Sequence, residues 1–109
     1  MAVVNRFDIY LLNMDDGASA QAKNTRPCVV VSPDEMNHNV SHMIVAPISS
    51  SQANGYPTHI TIELLGKERA VVLDQLRVVD AGRLVKKIGE VDSTTSKRIA
   101  ETLCEFFSE

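Results

Sequence analysis

Three short stretches hold side chains able to handle a phosphate. In KNTRPCVVVS, residues 23–32, Arg26 stands between a polar turn and an apolar run, with Pro27 directly behind it. A guanidinium keeps its proton, and its planar fork matches a phosphate. Pro27 biases Arg26 toward an extended backbone, so a strand aims the side chain. An arginine merely solvated at a strand mouth gives the same sequence. In APISSS, residues 46–51, the hydroxyls of Ser49, Ser50 and Ser51 follow an apolar run. Hydroxyls donate to phosphate oxygens without adding charge, and they also bond locally to turn backbone. In VVLDQLRVVD, residues 71–80, Asp74, Gln75 and Arg77 interrupt an apolar strand. Breaks in a binary pattern occur at functional sites, and equally where a strand crossing is hydrogen-bonded.

Other chemistries find no support. The chain has no GxSxG elbow and no GxxxxGK[ST] loop. His38, His42 and His59 are scattered and read as surface or structural residues, so no metal site is expected. Cys28 and Cys104 form neither a disulfide framework nor a zinc-ligand pair. Both sit in apolar contexts, which predicts buried free thiols in a reducing cytoplasm.

The 109 residues fit one domain, residues 1–109. A net charge of −3 gives no global field toward nucleic acid or membrane. An anion site must therefore be a local patch, for which Lys23, Arg26, Arg69 and Arg77 are available. The opening MAVVNRFDIYLLNMDD has no signal-peptide cleavage pattern, and no run approaches the roughly 18 apolar residues of a membrane span.

The elements that must position these residues are short. Strands are predicted over 8–13, 27–32, 42–48, 59–64 and 70–79, with a short final one near 88–91. In the fourth, Ile60, Ile62 and Leu64 alternate with His59, Thr61 and Glu63, the pattern of a half-buried antiparallel strand. Residues 14–24 form a loop longer than an ordinary hairpin connection, and such loops often carry function. Ser32 is expected to cap a one-turn helix begun by Pro33. A second short helix is expected over 81–87. Asp92 or Ser93 should cap a last helix reaching about Phe107. Its stripe of Ile99, Leu103 and Phe106, with Ala100 and Phe107 alongside, should pack on the sheet. The sum is a mostly β fold with a C-terminal helix, a small antiparallel barrel with appended helices.

In this order and spacing the segments resemble the MazF/PemK family of toxin endoribonucleases. RFDIYLLNMD is similar to the family's opening strand, and ASAQAKNTRPCVVVS to its long loop and Arg-Pro strand. VAPISSSQANGYPTHITIEL is similar to its strand, hydroxyl turn and next strand, and VVLDQLRVVDAGRLVKKIG to its Asp-Gln strand. The resemblance implies a compact SH3-like barrel of the CcdB/PemK type, acting as a cytoplasmic homodimer.

It also implies cleavage of single-stranded RNA, such as mRNA, at short sequences and without metal or other cofactor. The substrate's own 2′-hydroxyl would attack, leaving a 2′,3′-cyclic phosphate and a 5′-hydroxyl. Arg26 matches the family's arginine and Ser49 its hydroxyl, with Asp74 as the candidate base beside Gln75. Lys23, Thr25, Ser50, Arg69, Gln75 and Arg77 are the expected RNA contacts. The expected protein partner is a small antitoxin with a disordered acidic tail, with no membrane partner. Two positions depart from the family pattern. Phe7 stands where a glycine is frequent, and Ser19-Ala20-Gln21 replaces Ser-Glu-Gln, removing the loop glutamate proposed as acid/base in some members. A non-catalytic binder on the same barrel, such as a CcdB-like topoisomerase poison or an antitoxin-binding module, is the alternative reading.

Overall fold

A computed structural model describes residues 3–15, 24–50 and 55–108. Among these residues seven strands run β1 Asp8–Asn13, β2 Thr25–Val30, β3 His42–Ser49, β4 His59–Leu64, β5 Lys67–Val72, β6 Arg77–Asp80 and β7 Leu84–Glu90. Two α-helices are present among the described residues, the single turn α1 Asp34–Asn37 and the C-terminal α2 Ser93–Phe106. All pairings are antiparallel, in the order β4-β5-β3-β2-β1-β7, with β6 added to β3. The sheet curls into a half-barrel of the kind expected.

β3 is the hub. One edge carries β2, through Cys28↔Pro47, Val29↔Ala46 and Val30↔Val45. The other edge carries β6 along His42–Val45 and then β5 at Ile48 and Ser49. Because side chains alternate across a strand, β1, β2 and β3 each feed two cores. Ile9, Val29, Ala46, Ile48, Ile62 and Leu73 are among the residues of one, which Ile99 of α2 completes. Tyr10, Leu12, Cys28, Val30, Val45 and Val79 belong to the other.

Several expectations change. Residues 70–79 are not one strand, because the chain makes a 3₁₀ turn at Leu73–Gln75 between β5 and β6. Leu73 is fully buried and pins that turn. The helix expected over 81–87 is a 3₁₀ turn at Ala81–Arg83, where Asp80 accepts from Gly82 N–H, followed directly by β7. Pairing with β1 overrides the local pattern there, and β7 absorbs the expected short strand at 88–91. Ser32 does not cap α1. Its hydroxyl donates to Asn37 Oδ1 and accepts from Ile44 N–H, tying the helix to β3 instead.

Asp92 is the N-cap of α2, but the apolar stripe packs only in part. Ile99 is buried and Leu103 leans on the core, whereas Phe106 and Phe107 are exposed and stack on each other. The helix leaves the sheet before its last turn. Cys104 is exposed there, so only Cys28 is the buried thiol expected of both.

Among the described residues, two non-glycine ones have a left-handed backbone, Phe7 at φ 70° and Leu65 at φ 52°. Phe7 occupies the turn where the resemblance anticipates glycine, and that backbone is the one glycine takes without strain. The turn is held by Phe7 N–H donating to Val30 O and by Val91 N–H donating to Phe7 O. Leu65 and Gly66 (φ 81°) together form the two-residue turn between β4 and β5, with Leu64 paired to Lys67 across it. Positive φ at both central residues is the geometry that fits a tight hairpin.

Candidate active site

Strand parity assembles the site. Arg26, Cys28 and Val30 share one face of β2, and Val45, Pro47 and Ser49 share the same face of β3. The β2–β3 register ends with Cys28 opposite Pro47, and just beyond that pair Arg26 and Ser49 line one hollow. Arg77 pairs with Val45 and joins the same face. All of these but Val30 line this open hollow of about 870 Å³, floored by Leu12, Cys28 and Val45.

The 3₁₀ turn at Leu73–Gln75 brings the remaining polar groups to that hollow. On a continuous strand Asp74 would face away from Gln75 and Arg77. The turn cancels that parity, and Asp74, Gln75 and Arg77 all line the hollow together with Ser50. Leu73 N–H donates to Thr58 O, which locks the turn to the start of β4.

Two residues not expected at the site stand in it. Tyr56 and His59 line the same hollow, their rings meeting edge to face at 5.4 Å. His59 Nε2 lies 3.8 Å from Asp74 Oδ1, the distance of an ion pair when the imidazole is protonated. His59 reads in sequence as one polar position of an alternating strand. The available signal was its place with Tyr56 around Pro57-Thr58, immediately after the hydroxyl turn.

The other expected contacts divide. Arg69 lines a second, adjacent hollow and donates to Ser50 O. Thr25 is half-buried opposite Asn13 in β1 and lines neither hollow, because it falls on the other parity from Arg26. Lys23 lies outside the described residues, as do Ser19, Ala20 and Gln21 of the long loop. The described base of that loop is closed by Met14 N–H donating to Asn24 O.

The hollow's chemistry is polar and cationic at the walls and apolar at the floor. Cys28 is the obvious nucleophile by type, but burial pushes its thiol up to about 12, outweighing the hydrogen bond from Tyr10 backbone. A thiol that stays protonated is inert. Among the described residues no three His, Cys, Asp or Glu side chains come together as a metal-ligand set. Among them, too, no helix is long and apolar enough to cross a membrane. What remains is a wall of arginine and hydroxyl, chemically suited to a phosphate, facing a carboxylate backed by an imidazole.

That wall sits on a known scaffold. Residues 5–107 match the family described as PemK-like, MazF-like toxin of type II toxin-antitoxin system, and the chain belongs to that family. It is 30% identical over 106 residues to Endoribonuclease EndoA of Bacillus subtilis (strain 168), covering 93% of this chain and 91% of the relative. Among solved structures it is similar to MazE-MazF (Form-III) from Deinococcus radiodurans, at 26% identity and a TM-score of 0.78, over 96% of each chain. MazF (Form-I) from the same organism superposes with a TM-score of 0.77 at 25% identity, over 97% of each chain.

Proposed function

We propose that residues 1–109 act as one toxin domain, an endoribonuclease that cuts single-stranded RNA without a metal ion. The observation that carries this is that Arg26, Ser49 and Asp74 line one hollow. The kinship with a protein named as an endoribonuclease supports the same reading.

In this reaction Arg26 binds the scissile phosphate, and the Ser49 hydroxyl donates to one of its non-bridging oxygens. The substrate's 2′-hydroxyl attacks phosphorus in line and gives its proton to the Asp74 carboxylate. The bond from phosphorus to the 5′-oxygen breaks, and that oxygen takes a proton from solvent. The products are a 2′,3′-cyclic phosphate and a 5′-hydroxyl end. Charge on phosphorus oxygens is greatest midway, so a fixed guanidinium favours the transition state over the ground state. Asp74 takes the place of the loop glutamate that Ala20 removes.

The toxin works as a homodimer and is held inactive by a small antitoxin, as kinship to a MazE-MazF pair suggests. Acidic side chains of the antitoxin's tail occupy the basic groove around Arg26 and Arg77, imitating phosphates, and fold on binding. Arg69, Gln75, Ser50 and Lys23 contact flanking RNA.

Incubating the purified protein with a long single-stranded RNA in chelator tests the reading. Internal cuts bearing cyclic phosphate and 5′-hydroxyl ends are expected. Intact RNA, or cutting that needs magnesium, would overturn it.

A further inference from the structure

A second hollow of about 420 Å³ lies behind the phosphate wall. Arg26, Ser49 and Ser50 line it as well as the first, so the wall is a saddle with a recess on each side. The second recess is otherwise apolar, with Leu11, Leu64, Leu65 and Ile88, and carries Lys67 and Arg69. We propose that it is a nucleotide subsite, receiving the RNA residue that flanks the scissile phosphate on the side away from Asp74. This rests on the reading of Arg26 as the ligand of that phosphate.

The geometry favours RNA as the occupant. An endonuclease cuts inside a chain, so nucleotides must leave the scissile phosphate in both directions. If the phosphate sits at Arg26 and Ser49, one neighbour enters the Asp74 hollow and the other has the second recess as its path. A nucleotide needs an apolar surface for its base and cations for its phosphates, and both are present.

Charge on the β4–β5 hairpin is sorted to match. Lys67 pairs with Leu64 and Arg69 with Ile62, so both cations lie on the face that carries the buried leucine and isoleucine. Glu63 pairs with Glu68, and this like-charged pair lies on the opposite face. The anions are thus kept off the recess. Arg69 also donates to Ser50 O, which fixes the hairpin to the turn bearing the shared hydroxyls.

Leu65 supplies an independent sign. It is 82% exposed and sits at φ 52°, where leucine is disfavoured. It continues the apolar lining of Leu11, Leu64 and Ile88 in the same recess, and a contiguous apolar surface rimmed by cations points to something that covers it.

The test is to map cleavage sites along a long single-stranded transcript for the wild type, Leu65→Gly, Lys67→Gln and Glu68→Gln. Glycine accepts the Leu65 backbone, so that variant should melt at or above the wild type. Leu65→Gly is expected to relax base preference on one side of the cut only and to raise KM about five-fold or more, as loss of an aliphatic contact buried on binding does. Lys67→Gln should flatten the dependence of log kcat/KM on log salt by about 0.7, the value for one phosphate contact on a single strand. Glu68→Gln should change none of these.

Wild-type cutting with an unchanged Leu65→Gly site profile and KM would overturn the subsite and leave the nuclease reading standing. Preference lost on both sides would overturn it too. Leu65→Gly that cuts like wild type but resists inhibition by the antitoxin would assign the recess to a protein partner instead. Failure of the wild type to cut at all would sink the nuclease reading, and the subsite with it.

Discussion

His59 Nε2 and Asp74 Oδ1 face each other at 3.8 Å, brought together by the β4–β5 pairing of His59 with Val72 and by the turn that follows β5. The Asp74 side chain is 46% exposed and that of His59 only 16%. The carboxylate is therefore the outer partner, and the imidazole stands behind it against Tyr56. If Asp74 takes the 2′-hydroxyl proton, His59 is a positioning residue that acts through it. Asp74→Asn should lower kcat by about 10²–10⁴, the range for removing a general base, with KM little changed. His59→Gln should lower kcat less. The double variant should be no slower than Asp74→Asn alone. Additive losses in this cycle would show that His59 acts independently of Asp74.

Arg26 makes the most direct prediction. Arg26→Ala should slow RNA cleavage by roughly 10²–10³, as loss of one fixed transition-state donor does, while the circular dichroism melt is retained. Arg26 is exposed, so the fold does not depend on it. Ser49→Ala should cost less than Ser49→Ala/Ser50→Ala, because both hydroxyl residues line the hollow. Wild-type cleavage by Arg26→Ala would remove the phosphate-wall mechanism.

Most of this was legible in sequence where a residue's neighbours along the chain decide its fate. β1 runs over Asp8–Asn13 as its apolar pattern predicts, and Asp92 caps α2. The stretches holding Arg26, Ser49 and Asp74 were readable by residue type, the resemblance singled out those three, and they do line one hollow. The misreadings arise where tertiary contacts override local pattern. Buried Leu73 turns the chain where alternation predicted a straight strand, which is how Asp74, Gln75 and Arg77 meet. His59 gained its partner from a strand register that no local pattern encodes. Phe106 and Phe107 keep helical spacing past the point where the sheet beneath them ends, so periodicity overstated their burial.

The two thiols should separate cleanly. Cys28 is 1% exposed with its thiol pushed up to about 12 by burial, whereas Cys104 is exposed on α2. Iodoacetamide at neutral pH should add one label per chain, at Cys104, by peptide mass spectrometry. A second label should appear only after denaturation. Early labelling of Cys28 would mean that the hollow's floor opens to solvent. Blocking Cys104 should leave RNA cleavage unchanged, because it lies in neither hollow.

The cap of α2 gives a prediction in pH. The Asp92 carboxylate accepts from Thr95 N–H at 2.7 Å and from the Thr95 hydroxyl at 3.1 Å. These bonds, the backbone one first, hold its carboxyl below the ordinary 3.8. A carboxyl whose folded value is depressed stabilises the fold above its unfolded value, and that stabilisation is lost as pH falls through the folded value. Asp92→Ala should therefore melt below wild type at neutral pH, lacking both the acceptor and the charge near the helix N-terminus. Asp92→Asn keeps an acceptor but cannot ionise, so it should lie between the two. As pH is lowered past 3.8 and the wild-type carboxyl protonates, the wild type should converge on the asparagine variant. Thermal melts of the three proteins from neutral to acid pH check this. A gap between wild type and Asp92→Asn that stays constant across that range would show that ionisation of Asp92 contributes nothing to holding α2 against the sheet.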